Sequence, residues 1–289
     1  KIADVKQGLA TADDSRFTRF WWEVDADNIA TSREETYHKK WVPFVKGGKP
    51  FYQDIQLVVN WMNNGEEIKN YRNSSNKLLS RPQNEKFYFR KGLSWSAIFS
   101  SPRIDMHVMP PGGIFTQNHF ALFTNNESLS YVLLSVMNSE LIAFLTYILD
   151  PLEHTRIQST IAKLPIVLSI NQNKILAILV QEAYSLLREH DTGNESSTQF
   201  IMPWLLQVWR GSSQKWKPVT NHPLARDFQW SEFESAKELR GEGKKWNKEA
   251  SIIALANECV ERELKLRKRL DEIQNAIDDE VYRIYGISE

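Results

Sequence analysis

The chain has 289 residues, of which 42% are hydrophobic and 25% are charged, enough for one large globular domain or two smaller ones. Its 36 basic and 36 acidic side chains give a formal net charge of zero, which excludes an argument for nucleic-acid binding from global charge. The single cysteine, Cys259, excludes an intramolecular disulfide framework.

The hydropathy of the sequence bears on the cellular location of the protein, and its first residue bears on whether the sequence is part of a longer chain. The sequence shows no signal peptide and no apolar run long enough to span a membrane. We therefore expect a cytoplasmic protein that does not contact a membrane. The chain begins with Lys1 rather than Met, and its first motif follows at once. We expect it to be a piece of a longer protein.

The stretch from Gly8 to Val24 changes from small polar residues to an aromatic run that contains arginine. Gly8 permits a tight turn, and the side-chain oxygens between Thr11 and Ser15 can bond to nearby backbone. The following rings and arginines can stack and pair with anions. By physics alone, this pattern predicts a polar turn leading into a half-buried aromatic element.

Residues 1–130 are predicted to be rich in β-structure with long loops. Strand-like runs occur at Phe51–Trp61 and Lys86–Arg90, and Asn64-Gly65 is a good turn signal between them. A helix is predicted from about Ser128 to Leu149, where an Asp-Pro pair closes it.

The second half is predicted to be helical. One helix begins near Asn171, a polar loop or linker covers Asp191–Thr198, and a long helix with apolar residues at spacings of three and four begins at Asn247. Residues 199–246 hold five of the ten tryptophans but no motif. The fold class is therefore α+β, with a mixed, β-rich domain over residues 1–170 and a helical region with a Trp-rich segment over residues 171–289.

Positive charge is concentrated in one part of this neutral chain. Residues 39–103 contain twelve Lys or Arg and four acids, with six Trp or Tyr rings interleaved. Phosphates attract the cations, and rings and arginines can reach base edges or stack on them. The alternative is an ordinary solvated face over an aromatic core.

Several motifs occur in the order found in one family of recognition domains. The Gly8–Trp22 stretch resembles the first motif of the target-recognition domain in adenine-specific DNA methyltransferases, namely those of BREX phage-defence systems and of type IIG restriction–modification enzymes. Ala12 replaces their second glycine and Asp14 their asparagine. The similarity continues through Lys40–Gly48, Val59–Lys69, Phe87–Ser96, Leu133–Ser139, Leu164–Ile166 and the tail Ile277–Ile287.

The resemblance implies a function in site-specific DNA adenine-N6 methylation. The chain would dock duplex DNA and read the site while an upstream methyltransferase domain extrudes the adenine and uses S-adenosylmethionine. The sequence lacks the glycine-rich turn for that cofactor and the Asn/Asp-Pro-Pro-Tyr/Phe loop for the flipped base. We therefore expect no catalytic, cofactor-binding or metal-binding residue in this chain. The implied partners are duplex DNA, the upstream domain and other defence-system subunits.

Candidate DNA-binding residues come from the basic stretch and the motifs. Adjacent glycines beside Lys46 let backbone N–H groups approach a phosphate, arginines suit phosphates or guanine edges, and Asn60 suits an adenine edge. The candidates are Thr11, Arg16, Arg19, Lys46, Gly47, Gly48, Tyr52, Asn60, Arg81, Arg90, Lys91, Ser94 and Trp95.

Two other classes of function compete with this interpretation. A protein–protein interaction module of a defence complex would use the long helix and the Trp-rich segment. A metal-dependent nuclease would use Asp54 with the Glu67-Ile68-Lys69 triplet, which superficially fits an acid-x-Lys core. The six histidines show no metal-ligand spacing.

Overall fold

The computed structural model describes residues 2–98, 101–150, 158–167, 169–170, 173–210 and 252–287. Its strands are β1 Asp4–Lys6, β2 Thr18–Phe20, β3 Trp41–Val45, β4 Leu57–Asn60, β5 Gly92–Ser96, β6 His107–Met109, β7 Ile114–Phe115 and β8 His119–Phe123. Its helices are α1 Asp14–Phe17, α2 Met62–Lys69, α3 Glu127–Met137, α4 Glu140–Leu149, α5 Gln158–Ile161, α6 Lys174–Asp191, α7 Trp204–Arg210 and α8 Ile252–Tyr285. The predicted α+β class is confirmed.

The strands form two four-stranded sheets. One has the order β1-β8-β5-β6 and is antiparallel throughout. The other has the order β2-β4-β3-β7, and its β3–β7 pair is parallel. The consecutive strands β7 and β8 belong to different sheets, so the short segment between them links the two.

One hydrophobic core joins the first sheet to the helices. Trp95 of β5, Leu133 of α3, Val180 of α6 and Ile277 of α8 are all buried in it. A second core lies under the other sheet and contains Phe44, Val59, Trp61 and Phe115. The first core thus contains residues from both sides of position 170, where the sequence predicted a domain boundary.

The helix predicted from Ser128 to Leu149 is two helices, so the prediction of one continuous helix is wrong. Asn138 ends α3 and exchanges two hydrogen bonds with Met106: its Oδ1 accepts from the backbone N–H at 2.7 Å, and its Nδ2 donates to the carbonyl at 2.8 Å. Ser139 then caps α4 by accepting from the N–H of Ile142 at 3.3 Å. The Ser139 hydroxyl thus satisfies an N–H that has no partner within α4, and the Asn138 amide ties the break to Met106.

Two strand predictions need correction, and one turn is confirmed. The Lys86–Arg90 run is no strand: a 3₁₀ turn covers Glu85–Phe87, and both Phe87 and Tyr88 are buried, so the side chains do not alternate. Within Phe51–Trp61, the strand covers Leu57–Asn60. Asn64 and Gly65 adopt positive φ angles of 56° and 80°, which form the predicted turn at the start of α2.

The later helices agree with the sequence where the structure describes them. Asn173 caps α6 by accepting from the N–H of Leu176 at 2.9 Å, whereas the predicted cap, Asn171, lies outside the described residues. The long terminal helix is confirmed over Ile252–Tyr285. Its predicted first turn and residues 211–246 of the Trp-rich segment also lie outside the described residues.

The polar segment before α7 is a packed loop rather than a free linker. Asp54 accepts hydrogen bonds from the backbone N–H of Thr198, at 3.0 Å, and from its hydroxyl. Thr198 and its neighbours Ser197 and Gln199 are buried. The loop therefore fixes the C-terminal end of α6 to the segment that precedes β4.

Among the described helices, no single one is both long and apolar enough to cross a bilayer. Helices α3 and α4 reach that length and composition together, but they are bent by 73° at their break.

Candidate nucleic-acid interface

The first motif, the end of β3 and the last turn of α2 meet on one exposed surface. Asp13 caps α1 by accepting from the N–H of Arg16 at 3.0 Å. Asp14 accepts from Lys46 Nζ at 2.6 Å and from the Thr11 hydroxyl. Arg16 pairs with Glu67 at 2.8 Å. The fold thus joins three predicted site residues, Thr11, Arg16 and Lys46, in one network, here called the Arg16–Lys46 network.

The electrostatics of this network favour charged side chains. Partial burial alone would raise the pKa of Asp14, but hydrogen bonds from Lys46 and Thr11 lower that pKa below its usual value. The Arg16 guanidinium lies 5.0 Å from the ring centroid of Tyr71, and its side chain is 52% exposed. Both cations are thereby held in defined positions while solvent still reaches them.

Asn60 supports the network from below instead of facing solvent. It is buried, its Nδ2 donates to Glu67 Oε2 at 2.7 Å, and its Oδ1 accepts from the N–H of Met62 at 3.3 Å. Both ends of its amide are therefore engaged within the protein. This corrects the expectation that Asn60 is free to pair with an adenine edge, and assigns it to positioning Glu67.

Two further arginines flank the network. Arg19 lies on the edge strand β2, donates to the carbonyls of Ser15 and Thr18, and has its guanidinium 6.0 Å from the ring centroid of Trp41. Arg81 exchanges backbone hydrogen bonds with Ala10 at 3.1 and 2.8 Å. The exposed Arg81 side chain therefore lies beside the first motif.

Arg90 and Lys91 lie elsewhere. They directly precede β5, where Lys91 pairs with Glu127 at 2.5 Å and Arg90 lies 5.1 Å from the ring centroid of Phe87. Gly48 lies against Ser96 at the other end of β5, about 16 Å along the strand. The predicted basic stretch is thus divided between two ends of a sheet.

The remaining candidates are glycines or core residues. Gly47 and Gly48 line a surface cleft. Ser94 and Trp95 are fully buried, and Ser94 donates to the carbonyl of Phe120 at 3.0 Å. Tyr52 is buried edge-on against Tyr184. Burial excludes Ser94, Trp95 and Tyr52 from contact with DNA in this conformation. Thr11 is also buried, so its contribution is the hydrogen bond that it donates to Asp14.

The nuclease hypothesis finds no support in the described residues. Asp54 is buried against Thr198, Glu67 is shared by Arg16 and Asn60, and Lys69 pairs with Glu85 at 2.7 Å. Within the described ranges, no three His, Cys, Asp or Glu side chains are placed to hold a metal ion. The sequence indicated a role for Glu67 only as a metal ligand, whereas the structure shows that Glu67 accepts hydrogen bonds from Arg16 and orients it.

Buried histidine predicts an acid-sensitive fold. Burial lowers the pKa of His107 to about 3, from its usual 6.5. As the pH falls, His107 is therefore protonated in the unfolded chain before it is protonated in the folded chain. The neutral, buried His107 causes no loss of stability above about pH 6.5, and below that pH its protonation in the unfolded chain favours unfolding. Urea unfolding should show a loss of about 2 kcal/mol from His107 between about pH 7.5 and pH 5.

Two variants test this assignment. His107→Leu should reduce the pH dependence of unfolding, whereas the same change at the exposed His38 should leave it intact. His119, whose pKa burial and Lys46 lower to about 4, contributes in the same direction and keeps the dependence from vanishing. An unchanged pH profile in His107→Leu would contradict the role of this side chain.

The whole chain was compared with protein-family models, curated proteins and solved structures. No protein-family model matches the chain. It is 24% identical over 294 residues to the adenine-specific methyltransferase PglX of Lacticaseibacillus casei (strain Zhang). The alignment covers 100% of this chain and 21% of PglX, so the chain spans about a fifth of the length of that relative.

The fold is also similar to part of a solved enzyme. The Type IIL restriction-modification enzyme MmeI, whose structure was determined in complex with DNA, matches with a TM-score of 0.51 and 11% sequence identity. The match covers 100% of this chain and 33% of the MmeI chain. The chain is thus homologous to part of a DNA methyltransferase and shares its fold with part of a restriction–modification enzyme.

Proposed function

We propose that the chain recognises duplex DNA as part of a site-specific adenine-N6 methyltransferase in phage defence or restriction–modification. The observation that carries the proposal is the Arg16–Lys46 network, in which residues distant in sequence hold an exposed arginine and a partly exposed lysine in position. In this proposal S-adenosylmethionine serves the parent enzyme through its catalytic domain, and this chain supplies no catalytic residue. The upstream methyltransferase domain and other defence subunits are the protein partners.

The network suits phosphate contact by exchange of partners. A DNA phosphate carries the same sign of charge as the Asp14 and Glu67 carboxylates, so it can take their place beside Lys46 and Arg16. Tyr71 and Asp13 keep Arg16 in position while this happens. Arg81 adds a third cation next to the first motif, and Arg19 a fourth on the neighbouring edge strand.

The salt dependence of duplex binding tests the proposal. A fluorescently labelled duplex is titrated with the chain at several salt concentrations, and its anisotropy is measured. Phosphate contacts by these four cations predict that log K falls against log salt with a slope of about −3.6. Absence of duplex binding, or binding that salt does not weaken, would refute the proposal.

One observation favours the protein–protein alternative for a different region. The first turns of α8 expose Ile253, Val260 and Leu264, which are 73%, 58% and 60% accessible. These residues follow one another along the same face of the helix. We propose that this face contacts the methyltransferase domain of the parent protein. Lysine at Val260 and Leu264 should weaken that contact and leave duplex binding intact.

A further inference from the structure

A surface cleft of about 390 Å³ lies where β3 and β5 end and β8 begins. Gly47, Gly48 and Lys49 form its rim, and Ile98 and Ile104 provide apolar wall. Polar side chains, among them Gln53 and His119, complete the lining. The volume is larger than one phosphate needs and falls within the range of about 300–1,000 Å³ typical of small-molecule sites.

The rim is built to receive an anion. Neither Gly47 nor Gly48 donates its backbone N–H to another described residue. Gly47 has a φ of 138°, a backbone conformation that residues with a side chain rarely adopt, and a Cβ there would lie 2.4 Å from the Gln53 side chain. Lys49 is exposed on the same rim. Free N–H groups beside an ammonium group are the usual surroundings of a bound phosphate.

The interior of the cleft is suited to an uncharged polar ring. Burial and the nearby Lys46 lower the pKa of His119 to about 4, so its imidazole is neutral at neutral pH. Its Nδ1 lies 2.9 Å from the Thr116 hydroxyl, which leaves Nε2 for a ligand. Asp105, also in the lining, has a φ of 56°, an uncommon backbone conformation that often marks functional sites.

We propose that this cleft binds one nucleoside phosphate unit. The phosphate contacts the Gly47–Lys49 rim, the base packs against the exposed side chain of Ile98, and His119 hydrogen-bonds to the edge of the base. The unit has two possible sources: a free mononucleotide, or a nucleotide displaced from duplex DNA. The second source rests on the proposed function, whereas the first does not.

The test follows the imidazole ¹⁵N resonances of the whole chain, with His119 assigned from a His119→Gln variant. One arm adds each of the four deoxynucleoside monophosphates. The other adds a duplex with a single 2-aminopurine opposite an abasic site, whose fluorescence reports unstacking. Lys49→Ala should weaken binding at least fivefold, because a charge-assisted phosphate contact is lost. The matched control is Lys77→Ala, at an exposed lysine outside the cleft.

The outcomes separate the two sources from each other and from failure. A His119 shift with mononucleotides, weakened by Lys49→Ala but not by Lys77→Ala, supports the site with free nucleotide as ligand. A His119 shift and a fluorescence rise with the duplex alone support a displaced nucleotide. No His119 response in either arm overturns the proposal. If the chain still binds ordinary duplex DNA in that case, only the cleft assignment has failed, and the proposed function stands.

Discussion

Ile277→Asp is expected to destabilise the fold by more than about 4 kcal/mol. Ile277 is fully buried on α8, where its core also contains Trp95 and Val180. The substitution removes apolar contacts and leaves an unpaired carboxylate in an apolar site. Urea unfolding followed by circular dichroism measures the change, and the variant is expected to be largely unfolded without denaturant.

The control lies on the same helix. Lys268 is exposed, so Lys268→Asp should change the free energy of unfolding by less than about 0.5 kcal/mol. Leu270 is only partly buried at the margin of the core, so Leu270→Asp should cost less than Ile277→Asp. Equal stability of the Ile277 and Lys268 variants would show that α8 does not pack as described.

The depth of Ile277 follows from polar contacts around it as well as from apolar packing. Asp278 forms a two-pronged ion pair with Arg103, at 3.0 and 3.1 Å, and accepts from the N–H of Glu140 at 2.7 Å. The last pair joins α8 to the first turn of α4. Because these bonds fix the rotation of α8 about its axis, Ile277 faces the core and Lys268 faces solvent.

Periodicity predicts elements well here and fails where one side chain makes a tertiary contact. The apolar stripe of α8 was sufficient to predict the long terminal helix, and Asn64-Gly65 was sufficient to predict a turn. Periodicity was not sufficient at the break between α3 and α4, because the partner that Asn138 binds there, Met106, lies 32 residues away. Apolar residues keep helical spacing across the break, so periodicity alone does not show it, and the one local signal is the polar run Asn138-Ser139-Glu140, whose serine is a favourable N-cap residue.

The candidate interface was predictable in its residue types but not in its partners. Cations and turn residues pointed to the first motif and to Lys46, yet nothing local shows that Asp14 pairs with Lys46 or Glu67 with Arg16. Those ion pairs join residues 32 and 51 positions apart. Interleaved rings were misleading for the same reason, since Trp61 and Trp95 are fully buried and support the surface without facing it.

Removing Arg16 and Lys46 together is expected to weaken duplex binding strongly, whereas removing Arg90 and Lys91 is not. Two lost phosphate contacts should reduce the log–log salt slope by about two units, and affinity should fall by tenfold or more at low salt. The fold should survive, since exposed ion pairs contribute only about 0–1 kcal/mol. Anisotropy titrations of both double-alanine variants measure the difference.

Glu67→Gln sharpens this comparison because it changes the opposite charge in the same network. The amide keeps the size of the side chain and a contact for Asn60, but it no longer neutralises Arg16. Duplex affinity should therefore rise, while it falls in the Arg16/Lys46 double variant. The Arg90/Lys91 variant holds the same number of charge deletions at the far end of β5. The proposal is wrong if the Arg90/Lys91 variant loses affinity while the Arg16/Lys46 and Glu67→Gln variants bind as the unchanged chain does. In that case the DNA contacts the Arg90 end of β5, and the Arg16–Lys46 network has only a structural role.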